Sequence, residues 1–146
     1  MILISHRGNL TGPNPFKENS LQYIQKALDQ GFDVEIDVWI VNEILYLGHD
    51  DIQYKVSLDW LVDRIKRLWI HCKNMDALVY FNTLNHPFNY FWHEEDKATL
   101  TSQHHIWAYP GYQPIINSIA VMPERNNDNT DSCLGICSDY IQNYKQ

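Results

Sequence analysis

Apolar residues along the first half of the chain follow two different periods. Four segments carry alternating or continuous apolar residues, a pattern typical of β-strands. They are residues 1–5, 32–41, 44–50 and 68–73. Three intervening segments repeat apolar residues at every third or fourth position, which predicts amphipathic helices. They are residues 20–30, 57–67 and 74–84.

The helical signal weakens after residue 84. Four further strand-like runs follow, separated by short polar connections. They are FNYFWHE (88–94), HIWAYP (105–110), SIAVMPE (118–124) and GICSDYI (135–141). About eight strands, with helices mainly in the N-terminal half, favour an α/β fold and within it a compact or reduced βα barrel of the TIM type.

Length and composition bound the organisation of the protein. With 146 residues, of which 45% are hydrophobic, the chain can build one core and is too short for two ordinary domains. We therefore expect a single domain over residues 1–146. Its apolar runs have strand length, which predicts no transmembrane segment. A net charge of −7 argues against nucleic-acid binding, because a phosphate backbone needs a basic surface.

Two features point to the compartment. The first residues, MILISHRG, lack the basic start and long apolar centre of a secretory signal. The three cysteines have no Cys-x-x-Cys spacing, so we expect reduced thiols. Both features predict a cytoplasmic protein.

The predicted second strand carries two acids at alternate positions. Successive strand residues point to opposite faces, so Glu35 and Asp37 share one face while Val34, Ile36 and Val38 form the other. Neighbouring carboxylates on a half-buried strand repel each other. A cation between them removes that repulsion, which makes the pair a candidate metal site.

Five short motifs occur in a particular order: ISHRG, ENS at the start of a helix, GFDVEIDV, LGHD and GICSDYI. In order and spacing the chain resembles the glycerophosphodiester phosphodiesterases, βα barrels related to the phosphatidylinositol phospholipases. The resemblance is dense over residues 1–50, thinner at 70–73, and returns at 135–141. It implies metal-dependent hydrolysis of a small phosphodiester. Attack by a neighbouring hydroxyl, through a cyclic intermediate, and attack by water both stay open.

The resemblance also assigns a metal site and a phosphate site. The reacting groups of a βα barrel collect at the carboxyl ends of its strands. There Glu35 and Asp37 would bind a divalent ion, Mg²⁺ or Ca²⁺ first and Mn²⁺ or Zn²⁺ as alternatives. Arg7 offers a planar fork for phosphate oxygens, and Lys73 a point charge for the charge that develops in the reaction.

The acid and base of the reaction are expected to be histidines. His6 and His49 fall at the carboxyl ends of two predicted strands, and imidazole titrates near neutrality. Together with Lys73, they form the expected catalytic set.

His71 marks a departure from the family pattern. The family carries an acid two residues before the lysine of this strand, whereas here the pair is His71 and Lys73. A neutral imidazole in the metal site would shift preference toward Mn²⁺ or Zn²⁺. Alternatively, His71 only hydrogen-bonds a neighbour, and water completes the site. His93, Glu94 and Asp96 are further candidates, with His93 the most favoured to face inward.

Residues around these motifs are expected to be structural. Asn19 is the expected N-cap of the first helix and Glu18 an acid favoured by the helix dipole. Asp139 is expected to anchor a loop at the barrel mouth. Trp107 and Tyr109 are candidates for the wall of a substrate pocket.

Three functions follow from the sequence. The favoured one is a phosphodiesterase, whose substrate could be a glycerophosphodiester, a lysophospholipid-like headgroup or a phosphodiester in a surface polymer. The second is a degenerate barrel that binds a phosphorylated ligand without turnover. The third is an oligomeric interaction protein, in which a second copy of the chain covers faces that lack helices.

Overall fold

Ten strands form one mixed β-sheet in the computed structural model, which describes residues 1–146. The strands are β1 (Ile2–His6), β2 (Asp33–Val41), β3 (Ile44–Leu47), β4 (Tyr54–Lys55), β5 (Leu68–Cys72), β6 (Asn89–Phe91), β7 (Ala98–Leu100), β8 (Ile106–Ala108), β9 (Ser118–Val121) and β10 (Gly135–Ser138). The helices are α1 (Leu21–Asp29), α2 (Leu58–Val62) and α3 (Met75–Thr83). The α/β class is confirmed.

The centre of the sheet is parallel and its margins are antiparallel. Parallel neighbours follow the order β6, β5, β2, β1, β10, β9, β8. The antiparallel strands β3 and β4 extend from the second half of β2, and β7 pairs with β8. The sheet curls until Phe91 on β6 lies 4.7 Å from Trp107 on β8, measured between ring centroids. Backbone pairing does not join β6 to β7 or β8, so the curl stays open at this seam.

The two faces of the curled sheet hold separate apolar clusters. The concave face is filled by one large or medium side chain from each of six parallel strands, because alternate residues of every strand point inward. These side chains are Ile4, Trp69, Phe91, Trp107, Ile119 and Cys137. The convex face, which includes Val34, Ile36 and Val38, packs against the helices. The predicted division of β2 into two faces is therefore confirmed.

Helices cover only part of the convex face. All three lie before residue 84, and the later strands are joined by loops and 3-10 turns. The predicted helix over 57–67 is in fact α2 followed by a separate 3-10 turn at Ile65–Arg67. The Arg67 guanidinium donates to the carbonyls of Leu28 and Phe32, which fixes this turn against the end of α1. None of the helices has the length and apolar character that a membrane crossing requires.

The N-cap of α1 differs from the prediction. Ser20, not Asn19, precedes the helix, and its hydroxyl accepts from the backbone N–H of Tyr23. Asn19 instead adopts a left-handed conformation with φ of 66°. Glu18 lies outside the first helical turn, so its expected interaction with the helix dipole is also wrong.

Candidate functional site

Strand register brings four chemically active residues to one end of the sheet. His6 pairs with Glu35 across β1 and β2, and Asp37 pairs with His71 across β2 and β5. His6 and His71 lie at the carboxyl ends of β1 and β5, and the register aligns Glu35 and Asp37 of β2 with these ends. The sheet therefore places the predicted base and the predicted metal ligands side by side.

Glu35, Asp37 and His71 form a group able to hold a metal ion. One ligand atom from each lies within 4.8 Å of the others. Nδ1 of His71 is 3.3 Å from Oδ1 of Asp37 and 3.8 Å from Oε1 of Glu35. Oε2 of Glu35 and Oδ1 of Asp37 are buried and have no hydrogen-bond partner. Since buried carboxylate oxygens are normally satisfied, these atoms fit a cation as their missing partner.

Burial and charge act differently on the two carboxyl groups. Burial, together with the charge of Asp37, raises the pKa of Glu35 well above its ordinary value. Burial also opposes ionisation of Asp37, but the adjacent His71 and the charge of Arg7 outweigh it and hold the pKa of Asp37 below its ordinary value. Without a cation, the pair therefore favours one ionised and one protonated carboxyl group.

Asn19 holds Asp37 in position. Its side-chain carbonyl accepts from the backbone N–H of Asp37 at 3.0 Å, and its amide donates to Oδ2 of the same residue at 2.9 Å. Arg7 approaches that carboxylate from another side, with Nε 3.1 Å from Oδ2. Both contacts engage Oδ2 and leave Oδ1 directed toward His71.

Arg7 contacts two carboxylates in the structure, so its guanidinium is not reserved for phosphate. Its Nη1 lies 3.4 Å from Oε2 of Glu18, in addition to the contact with Asp37. Burial disfavours its charge, but Asp37, Glu35 and Glu18 outweigh this effect and raise the pKa of Arg7. Arg7 still lines the cavity, so its predicted role in phosphate binding stays a prediction.

His6 is oriented by a carboxylate from the far end of the chain. Nδ1 of His6 donates to Oδ1 of Asp139 at 2.7 Å, while Nε2 lies 3.7 Å from Oε2 of Glu35. The amide of the fully buried Asn9 donates both to Asp139, at 2.8 Å, and to Glu18, at 2.9 Å. Asp139 therefore fixes the imidazole and leaves Nε2 toward the metal ligands.

His49 lies in the loop that follows β3. Gly48 makes this loop possible, because a Cβ there would collide with the carbonyl oxygen of Asp51. Nδ1 of His49 donates to Asp50 at 2.7 Å, but the Asp50 side chain is 94% exposed. Burial, aided by the charge of Arg7, lowers the pKa of His49.

These side chains surround a cavity of about 500 Å³. This volume lies in the range of small-molecule sites. Of the predicted site residues, His6, Arg7, Glu35, His49 and His71 line it. The fully buried Asp37 lies behind the wall.

The outer wall of the cavity comes from the second half of the chain. Trp107 and Tyr109 line it, as the sequence suggested. His93 and Glu94 are also lining residues, whereas Asp96 is not. Lys73, which directly follows β5, does not line the cavity either. Its predicted contact with phosphate therefore stays a prediction.

Sequence reasoning missed four supporting residues: Asn9, Glu18, Asn19 and Asp139. Asn19 has the composition and position of an N-cap, so nothing local distinguishes it from one. Asp139 was expected to anchor a loop, and its backbone carbonyl does accept from Gly12 N–H at 2.9 Å. Only its side chain, which binds His6, carries the further role. The available signal was its place at the end of a strand, beside the predicted site.

Comparison of the chain with family models, with curated proteins and with solved structures gives no match. A function must therefore be inferred from the arrangement of side chains at the rim of the sheet.

Proposed function

We propose that this protein is a metal-dependent phosphodiesterase, built on a reduced TIM-type βα barrel related to the glycerophosphodiester phosphodiesterases. One observation carries the proposal. Two histidines, one of them held by a buried carboxylate, an arginine and a three-residue metal group come together at a single cavity from separated parts of the sequence. A phosphodiesterase needs this combination, because it must bind an anion and move two protons.

The histidines divide the proton transfers. We assign His6 as the base, since Asp139 stabilises the imidazolium that forms when Nε2 takes a proton. The attacking hydroxyl, from water or from the substrate, loses that proton as its oxygen forms the new bond to phosphorus. The bond to the leaving alcohol breaks, and the departing oxygen takes a proton from His49. The lowered pKa of His49 makes its protonated form a stronger acid.

Charge at the site supports binding of a phosphodiester. A divalent cation held by Glu35, Asp37 and His71 would neutralise the phosphate and polarise its P–O bonds. Arg7 adds a guanidinium at the cavity wall. Lys73 is near enough to lower the pKa of Glu35 and of His49, so it contributes positive charge from outside the wall.

The experiment is a turnover assay with bis(p-nitrophenyl) phosphate and a set of glycerophosphodiesters. Activity is expected to vanish in EDTA and to return with a divalent metal from a panel of Mg²⁺, Ca²⁺, Mn²⁺, Co²⁺ and Zn²⁺. Full activity in a metal-stripped sample would contradict the metal requirement. Binding of phosphate esters without turnover, under every metal, would support the degenerate barrel instead.

Variants test the assigned proton transfers. His6→Ala and His49→Ala are each expected to lower kcat by roughly 10²–10⁴-fold, because each removes a group that transfers a proton. His86→Ala, at an exposed position that does not line the cavity, is the matched control and should retain activity. Near-normal turnover of either site variant, with an unchanged circular dichroism spectrum, would exclude that histidine from the chemistry.

A further inference from the structure

The ring of His71 is held so that one nitrogen faces the acids. Nε2 donates to the backbone carbonyl of His93 at 2.7 Å, and that carbonyl can only accept. The ring also stacks on Phe91, with centroids 5.1 Å apart and an interplanar angle of 17°. In the neutral imidazole this leaves a lone pair on Nδ1. A backbone carbonyl that fixes the tautomer in this way is the usual support of a metal-binding histidine.

The lone pair of Nδ1 faces two carboxylate oxygens. Oδ1 of Asp37 lies 3.3 Å from it, and Oε1 of Glu35 lies 3.8 Å from it. Oδ1 of Asp37 is buried without a hydrogen-bond partner. Ligand atoms that are each about 2.0–2.2 Å from one ion, at right or tetrahedral angles, are about 3–3.5 Å apart. The two distances from Nδ1 are close to this range, and all three ligand atoms lie within 4.8 Å of one another.

The three candidate protein ligands carry little negative charge for a hard cation, because one of them is an imidazole. Two carboxylates supply the negative charge, and the Arg7 guanidinium, 3.1 Å from Oδ2 of Asp37, offsets part of it. Mg²⁺ and Ca²⁺ depend on oxygen ligands and on ligand charge. Imidazole suits transition metals such as Zn²⁺ and also raises their affinity relative to Mg²⁺ and Ca²⁺.

We propose that His71 binds the cation of this site through Nδ1, and that the site consequently selects a transition metal of the Mn²⁺, Co²⁺ or Zn²⁺ class over Mg²⁺ and Ca²⁺. The inference rests on the proposed function in using the same metal site, and it changes the expected identity of the ion. It also assigns a role to the residue at which the chain departs from the acid of the family it resembles.

Metal binding by the full chain tests the proposal without reference to activity. Titration calorimetry gives Kd for Mg²⁺, Ca²⁺, Mn²⁺ and Co²⁺ with wild type, His71→Gln and His71→Glu. We expect His71→Gln to weaken Co²⁺ and Mn²⁺ binding by at least about tenfold. We expect His71→Glu to shift the ratio of Co²⁺ to Ca²⁺ affinity toward Ca²⁺ by a similar factor. His86→Ala is the control for adventitious binding by an exposed histidine.

Pulsed electron paramagnetic resonance of Mn²⁺ on the wild-type protein gives a readout that needs no variant to fold. A ¹⁴N coupling from a ligated imidazole is expected, and it should be absent in His71→Gln and present in His86→Ala. Its absence from wild type, or unchanged metal ratios in His71→Glu, would overturn the proposal and show that His71 is an ion-pair partner of Asp37.

The outcomes for metal and for function are separable. Diesterase activity with tight Mg²⁺ or Ca²⁺ binding, and no nitrogen coupling, would remove the inference and leave the proposed function standing. Nitrogen coupling without turnover of any diester would support the inference and contradict the proposed function.

Discussion

His6 and Asp139, which are separated by most of the chain, are joined by a hydrogen bond of 2.7 Å at the rim of the sheet. His49 makes a bond of the same length to its sequence neighbour Asp50. The two carboxylates differ in exposure, since the Asp139 side chain is 8% exposed and that of Asp50 is 94% exposed. A buried carboxylate fixes a ring, whereas an exposed one competes with water and contributes little.

This difference predicts unequal effects of two matched substitutions. Asp139→Asn is expected to lower kcat by roughly 10²–10⁴-fold, because an amide can hold His6 in the wrong tautomer and does not stabilise its imidazolium. Asp50→Asn is expected to change kcat by less than roughly fivefold. The kcat–pH profile is the deciding measurement, and Asp139→Asn should displace the limb assigned to His6. Equal effects of both substitutions, or an unmoved profile, would show that Asp139 is only structural.

Asn19 and Ser20 separate a site effect from a helix effect. Asn19→Ala removes both hydrogen bonds to Asp37 and should weaken metal binding by at least about tenfold, as loss of a residue supporting a ligand does. Ser20→Ala removes the cap of α1, at a cost of about 0.5–2 kcal/mol in the free energy of unfolding, and should leave metal affinity unchanged. Calorimetric titration and urea unfolding of both variants measure the two quantities. If Asn19→Ala instead lowered stability and left metal affinity unchanged, Asn19 would act on the helix and not on the metal site.

Glu35 is expected to destabilise the metal-free protein. Its pKa is raised in the folded state, so folding favours its protonated form, and stability falls as pH rises from the unfolded value through the folded one. Glu35→Gln removes this penalty. In EDTA at pH 8 its Tm should exceed that of wild type by about 2–8 °C, which corresponds to 1–2 kcal/mol at this chain length.

The comparison at two pH values checks this sign. The advantage of Glu35→Gln should shrink at pH 4.5, where the carboxyl group is protonated in the folded state and about half protonated in the unfolded chain. Glu94→Gln, an exposed acid of the same cavity, is the control and should leave Tm unchanged at both pH values. A wild type that is more stable than Glu35→Gln in EDTA would show that the Glu35 charge is compensated without a cation.

The three free cysteines should differ in reactivity. Burial raises the pKa of Cys72 to about 12, and it raises the pKa of Cys137, which lies in the concave cluster. Both thiols should therefore stay protonated and unreactive at pH 8, since the thiolate is the nucleophile. Ellman's reagent should titrate one thiol rapidly in the folded protein and three in denaturant.

Cys133 is the expected reactive thiol, because it is only half-buried. Cys133→Ser should abolish the rapid phase and leave two slow thiols. Rapid reaction of a second thiol in the folded protein would contradict the packing of β5 or β10.

Several features of the fold were predictable because they depend on local pattern. Alternation along β2 placed Glu35 and Asp37 on one face. Once the order of the parallel strands is known, backbone hydrogen bonding aligns these two residues with those of the neighbouring strands. The tight connection between the predicted strands 32–41 and 44–50 was also predictable, and its two residues, Asn42 and Glu43, adopt positive φ. Two short strands, β4 and β7, were missed, since they have only two or three residues and, unlike the equally short β6 and β8, do not lie in longer apolar runs.

The sequence by itself determined most of the strands and helices, the two faces of β2 and the residue types of the site. The tertiary structure alone decided which groups complete that site. Asp139 reaches His6, and the His93 carbonyl reaches His71, because the sheet curls and brings distant strand ends to one rim. The hydrophobic pattern of a strand shows which of its faces is buried, but it does not show which residues lie across the cavity from that strand. For that reason Asn19 looked like a helix cap until its partner, 18 residues away, was seen to be Asp37.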